Sequence, residues 1–178
     1  MATDDESLAT KIENWMVAAV EAITDGEGPT AVFEDVEVAP WEGSDAQSID
    51  WIGAHLDEGK RDLSVRVRFN RDTVTQLEAG LVRRDATYDV WVSIKNVRPK
   101  GQARRGDGTK PGTNRMRELL VNALHNQRPS TTGGSPEPLS NLGWIVDFLF
   151  YEGCEIIWHT AGAVTMLCRF GTHELETS

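Results

Sequence analysis

A chain of 178 residues, 39% hydrophobic with six tryptophans and a net charge of −10, is long enough to bury a core as one domain without disulfide or metal staples. Two cysteines, Cys154 and Cys168, are too few for a disulfide framework or a structural zinc and fit a reducing compartment. The acidic start MATDDESLATKIENW has no basic n-region or apolar h-region, and no run approaches about 18 apolar residues, so the expectation is a soluble, cytoplasmically folded protein without signal peptide or membrane span.

In chain order, Leu8, Ile12, Trp15, Met16, Ala19, Val20 and Ile23 fall on one helical stripe. Thr3 with Glu6, or Ser7, is placed to cap that helix, and Asp25-Gly26 to end it. TAVFEDVEVAPW (30–41) predicts a strand of mixed faces closed by Pro40, and Ser44 or Asp45 a short helix through Ile49, Ile52 and Leu56. LSVRVRF (63–69) alternates cleanly, predicting a half-buried strand with Leu63, Val65, Val67 and Phe69 inward and Ser64, Arg66 and Arg68 outward. Residues 71–86 read as a connector with a turn of helix around Val74–Leu81. TYDVWVSIKNV (87–97) predicts a second strand with Tyr88, Val90, Val92 and Ile94 inward.

A basic glycine-rich stretch, RPKGQARRGDGTKPGTNR (98–115), then leads into a helix from about Asn114 that carries Met116, Leu119, Leu120, Ala123 and Leu124. PSTTGGSPEPLSN (129–141) is loop by composition. WIVDFLFYEGCEIIWH (144–159) and AVTMLCRFG (163–171) predict a hairpin around Thr160–Ala163, with a bulge at Glu152-Gly153. Strands that follow one another without helices between them predict an α+β fold: a mainly antiparallel sheet of four to five strands under two main helices, with one short extra helix. Residues 1–178 make a single domain, with a flexible basic loop at 98–113 and a second loop at 129–141.

Charge is segregated along the chain. Residues 1–62 hold 16 acids against 3 bases, residues 63–128 hold 14 bases against 6 acids, and residues 129–178 hold 6 acids against one base. Segregation of this kind gives either opposed patches that attract other copies or two solvated faces without a partner. The basic loop poses the same choice. Its glycines give reach and its arginines give planar forks for carboxylates, so it is either a contact to a neighbour's acidic surface or a solvated loop. Head-to-tail contacts close into rings when the rotation permits.

Other chemistries find little support. GDGTKPGTNR imitates a phosphate-cradling loop, but Lys110 is followed by Pro111, which removes a backbone donor. Arg105-Gly106-Asp107 is a chance tripeptide in an intracellular chain. Cys154 and His159 are five positions apart, an odd step that puts them on opposite faces of a strand. His55, His125, His159 and His173 are scattered without metal-ligand spacing, the acids of EDVE and LDEG follow no calcium-loop pattern, and no metal or cofactor is expected. Eight bases between Lys95 and Arg117 face a single acid, Asp107, but no aromatic interleaves with them to stack bases, so specific nucleic-acid recognition is disfavoured. An enzyme is not expected.

Several strings together resemble the tail-terminator (tail-completion) proteins of tailed bacteriophages, of the contractile-tail type. They are the helix KIENWMVAAVEAI, the strand YDVWVSIKN, the loop ARRGDGTKPG, the helix RMRELLVNALHNQ and the aromatic-rich terminal hairpin, which between them cover most of the chain. The segment EGSDAQSIDWIGAHLDEGKRD (42–62) is more acidic than that pattern. The resemblance implies a non-enzymatic virion subunit, folded in the host cytoplasm, that forms a homohexameric ring at the head-proximal end of the tail. The ring would stop tube and sheath growth and offer a surface to the head-side connector or neck protein. Its implied partners are other copies, the tube and sheath proteins, the connector, and DNA passing through the lumen without specific binding; no membrane is involved.

Carried over to this chain, the candidate subunit contacts are Lys100, Arg104, Arg105 and Lys110. Candidate lumen-facing acids are Glu34, Asp35 and Glu37, which break the apolar face of a strand. Six copies would carry about −60, a charge that lets DNA slide without sticking. Two alternatives stay open: a neck or head–tail connector protein, and a cytoplasmic nucleic-acid-binding accessory protein.

Overall fold

The computed structural model describes residues 7–24, 31–33, 35–40, 63–78, 81–95, 112–129, 144–158 and 163–177. Its elements in order are α1 (Leu8–Glu21), β1 (Val36–Val38), β2 (Leu63–Glu78), β3 (Leu81–Lys95), α2 (Thr113–Leu124), β4 (Trp144–Val146), β5 (Phe150–Trp158) and β6 (Ala163–Thr177). The predicted short helix at 49–56 and residues 98–111 and 130–141 of the two loops lie outside the described residues.

The strands form one mixed sheet in the order β1-β2-β3-β6, with β4 and β5 both on the outer side of β6. β1 runs parallel to β2 and every other pairing is antiparallel, so the fold is α+β as expected. β3 and β6 pair without interruption from Leu81↔Thr177 to Lys95↔Ala163.

Alternation then sorts the side chains by face. Val65, Val67, Tyr88, Val90, Val92, Met166, Cys168 and Phe170 join one buried cluster with Ile12, Met16 and Val20 of α1 and Met116, Leu120 and Leu124 of α2. Both helices therefore lie on one face of the sheet, on the stripes that their sequences mark. Ser7 is the N-cap of α1, its hydroxyl accepting the Thr10 N–H at 3.2 Å.

Four expectations are corrected. The stretch 71–86 is a β-arm, not a connector with a helical turn: β2 runs to Glu78, β3 begins at Leu81, and Glu78 pairs with Leu81. Thr73-Val74-Thr75 explains why, since three β-branched residues in a row lose rotamer freedom in a helix and fit a pleated strand. Strand 63–69 is not half-buried, because Ser64, Arg66 and Arg68 are as buried as Val65 and Val67. Of the strand expected over 30–41, only Val36–Val38 is a strand among the described residues.

The run 144–159, finally, is broken. Asp147 still donates to His173 O of β6 at 2.8 Å, but the ladder breaks after it, and Leu149 exchanges backbone bonds with the segment after α2, its N–H donating to Gln127 O at 2.8 Å and its O accepting from Asn126 N–H at 2.8 Å. Asn126 reaches that position with φ +60°, a left-handed conformation that asparagine tolerates. The bulge expected at Glu152-Gly153 is present, as a register shift between Tyr151 and Gly153.

β1 covers the edge of β2 only from Val65 to Val67, and the next edge donor is met by a helix. Glu13 of α1 accepts the Phe69 N–H at 2.6 Å. Burial pushes the Glu13 carboxyl above its ordinary value of 4.5, and this bond offsets part of the rise. A raised carboxyl pKa stabilises the fold below the unfolded value, and that contribution is lost as pH rises through the folded value. Glu13→Gln keeps an acceptor without the charge, so urea midpoints should show it gaining stability relative to wild type between pH 4.5 and neutrality. Glu13→Ala leaves the amide unmatched and should cost about 1–3 kcal/mol.

Candidate functional site

The sheet face opposite the helices carries polar rows, ordered rung by rung, on either side of the buried pair Trp91 and Leu167. Arg68, Asp89 and Arg169 stand in register across β2, β3 and β6, a plus–minus–plus row. Asp89 is fully buried; Arg68 Nη2 donates to its Oδ2 at 2.8 Å, and Arg169 Nε lies 3.6 Å from its Oδ1. The Arg68 guanidinium also sits 5.8 Å from the Trp91 ring centre, and Asn70 donates to Asp89 at 3.3 Å. One rung away from this row, Arg66 grips the strand beside it. Its Nη1 donates to Asp35 O at 2.9 Å, its Nη2 to Asp35 Oδ2 at 3.1 Å, and Glu37 is 3.5 Å away.

This arrangement places the acids expected to face a lumen. Asp35 is 8% exposed and its carboxylate is held by Arg66. Glu37 is exposed, with a side chain 66% accessible, and Glu34 lies outside the described residues. Asp35 and Glu37 are thus both placed locally beside Arg66 of the next strand. Lys100, Arg104, Arg105 and Lys110 lie outside the described residues, as does His159.

Beyond Phe69 the sheet continues as an arm, and every residue from Arg71 to Leu77 is exposed. Val74 is 62% and Leu77 47% exposed, on a strand edge with no partner among the described residues. Ion pairs lie on both faces of this arm. On the helix face Asp72 is 3.6 Å from Arg84, Arg84 pairs with buried Glu174, and the Tyr88 hydroxyl donates to Glu174 at 3.3 Å. Burial pushes the Glu174 carboxyl up, and Arg84 opposes the rise.

On the other face, Asp85 is hydrogen-bonded at 2.6 Å to both Arg83 Nε and His173 Nδ1, and Phe150 lies 5.2 Å from the His173 ring. Slight burial pushes Asp85 up, but these two hydrogen bonds outweigh it and hold the carboxyl below its usual range. Gly171 makes room for Phe150, since a Cβ there would lie 2.5 Å from the ring. The arm escaped the sequence reading, although Thr73-Val74-Thr75 and the Ala79-Gly80 pair between two alternating runs carried its signal.

Among the described residues no group of three or more His, Cys, Asp or Glu side chains is placed to hold a metal ion, and no helix is long and apolar enough to cross a membrane. No family model and no curated protein matches the chain. The site therefore rests on its own geometry, an arm whose outer edge has no partner among the described residues, rooted in a buried charge row.

Asp89→Ala would leave the arginines of that row short of a buried counterion, and urea unfolding should show a loss of about 3–5 kcal/mol.

Proposed function

We propose that this chain is a structural virion subunit that forms a ring, of about six copies by the resemblance above, at the head-proximal end of a phage tail. There it would end tube and sheath growth and present a surface for head joining. The observation that carries the reading is the arm built from 71–78 and 81–86, which extends past the helix-covered core with two exposed apolar side chains and an edge that has no partner among the described residues. Unpaired N–H and C=O groups along a strand edge are a template for another chain. Ion pairs around Arg84 and Asp85 link the strands of the arm, and any order they impose would lower the entropy cost of docking it.

Charge segregation supports the same reading. The first 62 residues carry 16 acids, and the segment holding the basic loop carries the excess of bases, so a neighbour placed head-to-tail meets the opposite sign. Contacts of this kind weaken as salt screens them.

Electron microscopy with light scattering should reveal rings of the purified protein that loosen in high salt. If the free protein is monomeric, the deciding measurement is capping of purified tail tubes, where failure to bind tube ends removes the terminator role. Double substitution of Val74 and Leu77 by lysine should abolish ring or cap formation while changing the unfolding free energy by no more than about 0.5 kcal/mol. Alanine at Arg104 and Arg105 separates the rival reading: loss of salt-sensitive DNA binding with assembly intact would favour a nucleic-acid accessory.

A further inference from the structure

The two cysteines, 14 positions apart in sequence, are direct cross-strand partners: Cys154 of β5 lies opposite Cys168 of β6. Both are free thiols, Cys168 buried in the core and Cys154 half-buried over it. Their closeness depends on which kind of antiparallel pair they form. Opposed residues that exchange backbone bonds stand about 5.5 Å apart at Cα, whereas those that do not stand about 4.5 Å apart, with their side chains closer.

The phase of the ladder can be followed across the sheet. Val65 N–H donates to Asp35 O and Ala39 N–H to Val67 O, so odd-numbered residues of β2 in this region turn their backbone groups towards β1. Arg66 and Arg68 then bond to Trp91 and Asp89, their register partners, and this leaves Val90 and Val92 to bond to Cys168 and Met166. Odd residues of β6 consequently face the outer strand, in agreement with the Asp147 N–H donating to His173 O at 2.8 Å. Cys168 bonds to β3, and its pairing with Cys154 is the closer, non-hydrogen-bonded kind.

A Cα separation of about 4.5 Å lies inside the roughly 4.4–6.8 Å window in which a disulfide closes without backbone movement. The bulge between Tyr151 and Gly153 precedes Cys154, so the pairing from Cys154 to Trp158 is regular.

We propose that Cys154 and Cys168 form a dithiol site that reacts with low-molecular-weight disulfides of the glutathione class and closes into an intrachain disulfide joining β5 to β6. The Cys154 thiolate attacks one sulfur of the small disulfide, forming a mixed disulfide and expelling one small thiol. Cys168 then gives up its proton and attacks the Cys154 sulfur, closing the protein S–S bond and expelling the second. Two protein thiols lose two electrons and two protons, and one small disulfide becomes two thiols. Exposure fixes the order, because only Cys154 is open to a reagent. The thiol environments agree. A hydrogen bond from Cys168 holds Cys154 below the ordinary thiol range, with the Arg117 charge helping, while that bond and burial push Cys168 up.

The test treats the native protein with glutathione disulfide, alkylates remaining thiols in denaturant, and maps the products by mass. The wild type should lose both alkylatable thiols, lose the mass of two hydrogen atoms, remain monomeric on a non-reducing gel and yield a peptide linking residues 154 and 168. A time course should show a transient glutathione adduct on Cys154, never on Cys168. Cys168→Ala should stop at that adduct and Cys154→Ser should not react. A wild type that stays reduced, stops at the adduct, or becomes a disulfide-linked dimer would overturn the assignment, and the wild-type time course decides even if a variant fails to fold.

Discussion

The unbroken pairing of β3 with β6 governs the rest of this molecule. Fifteen residues of each strand run in register from Leu81↔Thr177 to Lys95↔Ala163, and the irregularities recorded in the sheet fall on other strands: the shifts in β2, the bulge in β5 and the break at 147–149. Because side chains alternate with period two, one fixed ladder commits every residue on its flanks to a face. Tyr88, Val90 and Val92 then meet the helices, and Asp89, Trp91 and Ser93 meet the buried polar side. A slip of one residue would drive Arg66 and Arg68 among the valines of the core, a penalty far beyond that of an ordinary mispairing.

The plus–minus–plus row of Arg68, Asp89 and Arg169 is best understood in that light. Buried ion pairs add little net stability, because desolvation consumes much of the Coulomb gain. A carboxylate that two arginines can satisfy in only one alignment does, however, penalise every other alignment. In this chain the row and the apolar cluster on the opposite face point to the same register, an agreement between levels that distinguishes a unique fold from a collapsed one.

Much of this was legible in the residues. The stripe from Leu8 to Val20, the inward set Tyr88, Val90 and Val92, and the helix carrying Met116 to Leu124 all occupy the positions that periodicity assigns. Legibility failed where local pattern and tertiary setting part company. Val74, Leu77 and Leu81 mimic a helical stripe, yet the stretch pairs as strands, and both Val74 and Leu77 end in solvent. Arg66 and Arg68 look like the wet side of a half-buried strand, and no sequence period reveals that their counterions lie on β1 and β3. The facing cysteines belong to the same class, since a pairing register is a property of two strands rather than of either. Of the candidate site, the basic loop was visible in composition alone, whereas the arm's β-branched signal at Thr73-Val74-Thr75 was masked by the helix-like spacing of Val74, Leu77 and Leu81.

The position of β6 also shapes how the chain reaches this state. It comes last among the described elements, yet it sits inside the sheet, between β3 and the outer strands. During synthesis β2 and β3 can close as a local hairpin, whereas the central ladder must wait until residue 177 has been made, some 80 residues after β3 ends, an order that raises contact order and slows folding. Until then β3 is an edge, offering the unpaired backbone of Val90 and Val92 to any strand that arrives. Many copies folding at once in one cell would make that interval the hazardous part of the protein's life, when the edge that should receive its own last strand is open to a neighbour's.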